Sequence, residues 1–421
     1  MEVKRVVELK RVVVTGLGAI TPIGKTVPEF WDNLIKGESG AGSITRFDVS
    51  KFKTQFACEV KNYDPNNYFD RKESKKLDLY AQYAMIAADE AVLDSGLNLE
   101  TLDKDRAGVI WASGIGGINT FFDEVKSYAT GDGTPRYSPF FVPKMICDIA
   151  SGQISIKYGF RGVNFATVSA CASSTHALMD ALMYIRLGKA NVIISGGSEA
   201  TINEAALGGF SSMQALSQRN DDPKTASRPF DKDRDGFVMA EGGACLILEE
   251  YEHAKARGAK IYAEFIGAGA SADAYHLTAP HPEGLGAALV MKNAIEDACI
   301  DVTEIGYVNV HGTSTPLGDI AETNAIKKVF GDHAYNINIS STKSMTGHLL
   351  GAAGAIESIA CVLAIKNGII PPTINHFTDD PELDNKLNLT FNTAQKKDLK
   401  IALSNTFGFG GHNASAIFRK L

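Results

Sequence analysis

The sequence predicts an α/β fold built from two similar halves, and three observations lead there. Short β-branched runs ending on glycine or small polar residues alternate with longer segments whose apolar residues recur at helical spacing. This β-α rhythm runs once to about Glu249 and starts again near Tyr262, so the halves are taken as residues 1–256 and 257–421. Several strands read as unbroken apolar runs, such as Val12-Val13-Val14, the pattern of strands buried on both faces.

In the first half, residues 11–16 read as a strand entering a Gly-rich turn, followed by an amphipathic helix near 27–35. Gly16 and Gly18 invite a dinucleotide reading, but the third glycine of GxGxxG would fall on Thr21, and Gly114-Ile115-Gly116 fails likewise at Asn119. Arg71, Lys72, Lys75 and Lys76 form a basic run ahead of a helix over 79–95. A strand over 107–112 leads to an irregular excursion through Pro135, Pro139 and Pro143. Then come a strand over 163–168, a helix over 172–187 stopped by Gly188, and a strand over 191–195 ending at Gly196-Gly197.

Asp231, Asp233, Asp235 and Gly236 imitate the start of a calcium loop, yet its twelfth position is Gly242, so a structural loop of satisfied carboxylates is expected. A strand over 244–249 closes the half. In the second half the spacing predicts strands over 262–270, 305–310, 337–341, 387–391 and 401–405, with helices over 286–299, from 321, and over 352–366.

Composition narrows the function classes. The 421 residues are 44% hydrophobic and 22% charged, and 42 basic against 49 acidic residues leave a net charge of −7. That balance argues against nucleic acid or an anionic membrane as partner. Met1 to Lys10 shows neither a signal nor a transit pattern, which makes the cytoplasm the simplest location. Six cysteines without CxxC spacing disfavour a zinc site, a dithiol motif and a disulfide framework, so no metal is expected. The most apolar stretch, 356–370, is broken by Glu357, Lys366, Asn367 and Gly368, so no membrane span is expected.

In parallel α/β sheets, ligands sit beyond the carboxyl ends of strands. Four polar clusters fall at such ends. Cys171 lies at a strand-to-helix junction, where unpaired N–H groups and the helix dipole favour thiolate. A cysteine taken alone is ordinarily a small buried hydrophobe, so its partners must decide. His311 follows a strand in the second half, and Lys343 with His348 occupies the place there that Cys171 occupies in the first. The loop from Gly408 to Asn413 offers close backbone approach or a tight hairpin. Facing halves would set a thiol against imidazoles, a layout for nucleophilic attack with stabilisation of developing negative charge.

Ser-Ala-Cys-Ala around Cys171, HGTSTPLGD at 311–319, KSMTGHLLGAAG at 343–354 and FGFGGHN at 407–413 resemble, in order and over essentially the whole chain, the elongating β-ketoacyl-acyl-carrier-protein synthases. The segment RPFDKDRDGFVMAEG belongs to the same resemblance, while His412 stands where that family more often has threonine. The resemblance implies a thiolase-like fold, a duplicated βαβαβαββ core in a five-layer αβαβα sandwich, acting as a homodimer without cofactor. It implies decarboxylative Claisen condensation of malonyl-carrier protein with an acyl chain held on Cys171.

By the same resemblance, His311 and His348 would stabilise the enolate, Lys343 would support His348, and the backbone N–H groups of Cys171 and Phe409 would hold the acyl-transfer oxyanion. Phe409 would gate the site, Thr313 and Thr315 would meet the pantetheine arm, and Phe407, Gly408 and Gly410 would complete the binding loop. Asp319 and Glu357 would organise the site, and Arg71, Lys72, Lys75 and Lys76 would attract acidic acyl-carrier protein. The competing readings are a polyketide ketosynthase subunit and a carrier-binding chain-length factor, the latter lacking the nucleophile that Cys171 supplies here. A biosynthetic thiolase would carry a second cysteine in the final glycine loop, where Phe407-Gly408-Phe409-Gly410 stands.

Overall fold

The computed structural model describes residues 8–421, so residues 1–7 of the stretch read for a leader lie outside the described residues. The first half contributes strands β1 (Val12–Ile20), β2 (Ala107–Ala112), β3 (Asn164–Thr167), β4 (Val192–Glu199) and β5 (Gly242–Glu250). The second contributes β6 (Ala263–Ala272), β7 (Tyr307–Asn309), β8 (Asn338–Ser340), β9 (Ile401–Gly408) and β10 (His412–Arg419). The helices packed on the sheet are α1 (Leu79–Ser95), α2 (Ile149–Tyr158) and α3 (Ser173–Arg186) in the first half and α4 (Leu285–Ala298), α5 (Pro316–Phe330) and α6 (Ala353–Asn367) in the second, with the expected amphipathic helix at Val27–Lys36 and further helices besides.

The sheet order is β3-β2-β4-β5-β1-β6-β10-β9-β7-β8, so every strand of the first half has its counterpart at the mirrored place in the second. Strand directions repeat too: β3-β2-β4 and β8-β7-β9 are parallel, and the pairs nearer the middle are antiparallel. The two blocks join through a short antiparallel seam, Val13 opposite Glu264 and Val14 opposite Ala263. Helices α3 and α6 pack against strands of both blocks, with α1 and α2 outside the first and α4 and α5 outside the second. This is the expected thiolase-like α/β layering.

The central position of α6 follows from its sequence, since every residue from Ala353 to Ile365 is apolar, small or paired, and all are buried. Leu350–Asn367 is by length and composition apolar enough to cross a membrane, but 89% of it is buried inside the fold, as a core helix. The helix approaches α3 without a spacer: a Cβ on Gly354 would stand 2.0 Å from Thr175 Oγ1 and 2.9 Å from Thr175 N.

Two strand expectations fail for identifiable reasons. β4 does not end at Gly196-Gly197 but runs through them to Glu199, because a Cβ at Gly196 would lie 2.0 Å from the Ala244 carbonyl. The glycines there serve close strand packing rather than a turn. Residues 387–391 form no named strand, only isolated bridges at Asn388 and Phe391, and Thr390 and Asn392 take positive φ values that break extended pairing. The proline-marked excursion contains the helices Ile118–Thr130 and Phe141–Met145.

Replacing Gly354 with alanine forces a methyl against backbone that cannot retreat. The expected cost is about 1–3 kcal/mol, read as a lower urea midpoint at unchanged slope.

Candidate active site

Cys171 sits at the end of the connection from β3 to α3. Ala170 ahead of it adopts φ 51, a left-handed kink, and its carbonyl accepts from Ser173 N (3.2 Å) and Ser173 Oγ (2.6 Å). The kink presents Cys171 at the mouth of the first turn of α3. Opposite, Gly408 comes so near that a Cβ would lie 2.9 Å from the Ser169 carbonyl and 3.0 Å from the Cys171 amide nitrogen. Glycine is required there by the approach of the loop to the elbow.

His348 arrives from the other half. Its backbone is clamped like an extra strand residue, with its N–H donating to Val238 O (2.8 Å) and its carbonyl accepting from Ala240 N (3.0 Å). Gly347 before it has φ +68, and a Cβ would press into Cys58 Sγ at 2.7 Å. The clamp places His348 Nε2 3.0 Å from Cys171 Sγ. The His311 ring stands nearly perpendicular to it, 5.3 Å between centroids at 87°. Phe237 packs edge-on against His348, and Phe407 lies beside His311.

Lys343 is buried and ion-paired with buried Glu357, while its carbonyl accepts from Ser227 Oγ and from Gly347 N, fixing the turn that leads to His348. Asp319 accepts from Phe230 N (2.9 Å) and faces Arg234, tying the 228–234 loop to α5. Asp231 and Asp235 spend their carboxylates on backbone N–H groups of Phe377, Thr378 and Gln218 while Asp233 is exposed to solvent, so the calcium-like segment is a loop in which two of the three carboxylates are satisfied by backbone. Thr313 and Thr315 meet through their hydroxyls at 3.2 Å.

The site lies at the end of a cavity of about 390 Å³, lined by Cys171, His311, Thr313, Thr315, His348, Phe407, Gly408 and Phe409 among others. Phe409 is half-buried, with its ring 6.5 Å from that of Phe210. The loop that follows is a tight hairpin, Gly410 and Gly411 both at positive φ, with Gly410 N donating to Leu277 O at 2.8 Å. Both readings of the glycine loop therefore hold: it is a hairpin and it lines the site. The basic residues Arg71, Lys72, Lys75 and Lys76 are exposed on and after the helix Arg71–Ser74, and none of them lines the cavity.

Electrostatics correct one expectation. Burial pushes the Cys171 thiol up to about 12, outweighing Lys343 and the Phe409 N–H, which pull it down. The helix start thus does not leave a resting thiolate. Burial, with Lys343 nearby, also holds His311 and His348 well below the ordinary imidazole value, so both rings are neutral at pH 7. A neutral imidazole carries one N–H donor and one acceptor, which suits it to take a proton or to hydrogen-bond an oxyanion.

Glu322, on α5, was not legible as a site residue. It accepts the N–H groups of His311 (2.9 Å) and Gly312 (2.8 Å), with Asn405 at 3.3 Å, and so orients the His311 turn. Its signal in the sequence is only a carboxylate one helical turn beyond Asp319, on the buried face of that helix.

Comparison with known proteins agrees with this geometry. The family described as beta-ketoacyl synthase, N-terminal domain, matches residues 9–254, and its C-terminal domain matches residues 262–377. The chain is 49% identical over 415 residues to a Synechocystis protein named 3-oxoacyl-[acyl-carrier-protein] synthase 2, covering 98% of this chain and 99% of that one. It is 48% identical to the Staphylococcus aureus protein of the same name, covering 98% of each. Among solved structures, a beta-ketoacyl synthase from Burkholderia phymatum superposes with a TM-score of 0.90 at 36% identity, covering 98% of this chain and all of that one. A type II polyketide ketosynthase solved with its acyl-carrier protein gives the same TM-score and identity, again over 98% of this chain and all of that one.

A buried thiol beside neutral imidazoles has a distinct pH signature. The iodoacetamide alkylation rate at Cys171, followed by peptide mass spectrometry, is expected to rise about tenfold per pH unit from pH 6 to 9, because thiolate is the nucleophile. A plateau reached below pH 7 would mean a thiolate–imidazolium pair instead.

Proposed function

The chain belongs to the beta-ketoacyl synthase family, and from that premise we propose that Cys171, His311 and His348 carry out decarboxylative condensation of a malonyl group with a Cys171-bound acyl chain, as in type II fatty-acid elongation. The observation that carries this reading is the 3.0 Å contact between Cys171 Sγ and His348 Nε2 with the His311 ring beside it. A hydrolase needs one base, whereas two neutral imidazoles at one point suit an enolate oxygen.

In the first half-reaction the Cys171 sulfur attacks the acyl thioester, the new S–C bond replaces the old one, and the thiol proton leaves with the departing carrier thiol. His348 Nε2 is within reach to relay that proton. The N–H groups of Cys171 and Phe409, brought together by the approach of Gly408, would receive the oxyanion. In the second half-reaction malonyl thioester loses CO₂, and the electron pair of the broken C–C bond enters an enolate. His311 and His348 each offer one N–H to its oxygen, and one such donor is worth roughly 2.7–4 kcal/mol. The carbanion then attacks the Cys171 thioester, a C–C bond forms, C–S breaks, and the thiolate takes up one proton to restore the thiol.

Phe409 lines the cavity with Cys171 and Phe210 on a loop whose following glycines permit large backbone changes, which supports its reading as a gate that orders the two half-reactions. Thr313 and Thr315, with Phe407, Gly408 and Gly410, would guide the pantetheine arm along the cavity. Acyl-carrier protein as bearer of both substrates is favoured by the exposed run Arg71, Lys72, Lys75 and Lys76, a local positive patch on a chain of net charge −7. A homodimer is favoured by β3, which ends the sheet with one unpaired edge next to exposed Val168 and Met183.

Incubation with acyl-carrier-protein thioester is expected to add one acyl mass to Cys171, and malonyl-carrier protein to discharge it as a β-ketoacyl product. Cys171→Ala abolishes both steps, while His311→Ala is expected to slow malonyl decarboxylation by about 10²–10³-fold with acylation retained. Acylation followed by hydrolysis alone would refute the reading. Reversing the charges at Arg71, Lys72, Lys75 and Lys76 is expected to raise the KM for carrier protein and flatten its salt dependence at unchanged kcat. An unchanged KM would reduce the patch to a solvated face.

A further inference from the structure

The mechanism above makes no use of Glu199, the last residue of β4. It is wholly buried, at 0% exposure. Its carboxylate nevertheless accepts four hydrogen bonds: Oε2 from Gly114 N (2.8 Å) and Gly351 N (3.0 Å), Oε1 from Ser113 Oγ (3.0 Å) and Ile115 N (3.2 Å). Ser113, Gly114 and Ile115 follow β2 in the first half. Gly351 follows β8 in the second, three residues beyond His348.

The space around the carboxylate is cut for this purpose. A Cβ on Gly351 would stand 2.2 Å from Gly114 N and 2.7 Å from Glu199 Oε2. A Cβ on Gly114 would stand 2.8 Å from the same oxygen and 3.6 Å from the carbonyl of Ala170, the residue that kinks the chain into Cys171. Leu350, between His348 and Gly351, is held at φ 48. One carboxylate thus joins the segment carrying His348 to the turn that backs the Cys171 elbow.

We propose that Glu199 is a positioning residue: by accepting Gly351 N–H from one half and three donors of the 113–115 turn from the other, it sets the separation of Cys171 Sγ and His348 Nε2. It touches neither reacting atom. The four donors are all neutral, and burial raises the Glu199 carboxyl to about 7 despite them, so at pH 8 it is an anion that works against thiolate formation at Cys171. This adds to the burial that holds the sulfur as a thiol in the resting site. The inference rests on the condensation reading for its kinetic consequence but not for its geometry.

Two variants of the full chain test it. In Glu199→Gln the amide keeps the shape but turns an NH₂ toward backbone donors and removes the charge. Condensation kcat is expected to fall about 10–100-fold, as for an angstrom-scale misplacement, with KM for carrier protein unchanged. Alkylation of Cys171 at pH 8, read at that residue by mass spectrometry, is expected to become at least about threefold faster. Glu199→Asp keeps the charge but is too short to span both halves, so its alkylation rate stays near the original while kcat falls. It decides the matter should the glutamine variant not fold.

Variants within twofold of the original kcat would overturn the proposal. So would a kcat loss in Glu199→Gln with alkylation unchanged or slower, since that marks a residue needed only for folding. If the unaltered enzyme makes no condensation product, the proposed reaction fails, and the alkylation comparison still judges Glu199.

Discussion

The site depends on two half-folds pressing their strand ends together with almost nothing between them. Cys171 and His348 are 177 residues apart in the chain, yet their reacting atoms are 3.0 Å apart. That approach is possible only because glycines occupy the points of closest contact. Gly408 meets the Cys171 elbow, Gly351 meets Gly114, and Gly354 meets Thr175 where the two central helices cross. Any side chain at those positions would separate the halves by the width of a methyl group, and a separation of that size removes a hydrogen-bond contact altogether.

Bringing strand ends together buries polar groups, and the fold treats each in a way that bears on chemistry. Glu199, Glu322, Asp231 and Asp319 are spent on backbone N–H groups of loops in and around the site, so the carboxylates act as fasteners. Lys343 is paired with Glu357 in the core, where losing either partner would leave an uncompensated charge. The reacting groups are treated differently. Cys171 and both histidines are desolvated without a full counter-charge, which keeps the thiol and the imidazoles neutral. Neutral groups of this kind can exchange protons as the reaction proceeds, and they pay little reorganisation when negative charge appears on substrate oxygen.

The core helix α6 is buried from Ala353 to Ile365, whereas the Phe409 loop ends a strand, carries two glycines at positive φ and is tied to the 273–284 loop by two backbone hydrogen bonds, Gly410 N to Leu277 O and Asp273 N to Gly411 O. A buried centre beside an aromatic on a glycine-containing loop is the arrangement that the proposed gating at Phe409 would use.

Much of this was legible in the chain. Period and glycine placement located the strands of the main sheet and five of the six helices packed on it but missed α2 and the helices at Ile118–Thr130 and Glu204–Ser212, the repeated β-α rhythm pointed to two like halves, and the motifs around Cys171, His311, Lys343, His348 and Phe409 picked out residues that line or adjoin one cavity, because residue type and local spacing determine those features. Gly196-Gly197 misled as a strand end, since a glycine needed for a turn and one needed for close packing look alike in one dimension. The resting thiol at Cys171, against the helix-end expectation of a thiolate, was decided by burial from the opposite half. Glu322 and Glu199 were likewise invisible, because a carboxylate acquires its role from the backbone N–H groups that happen to face it. Sequence by itself determined the fold and the side chains that meet in the cavity. Only the tertiary structure decided their charge states and the carboxylates that hold them, because desolvation and hydrogen-bond partners come from segments far away in the chain.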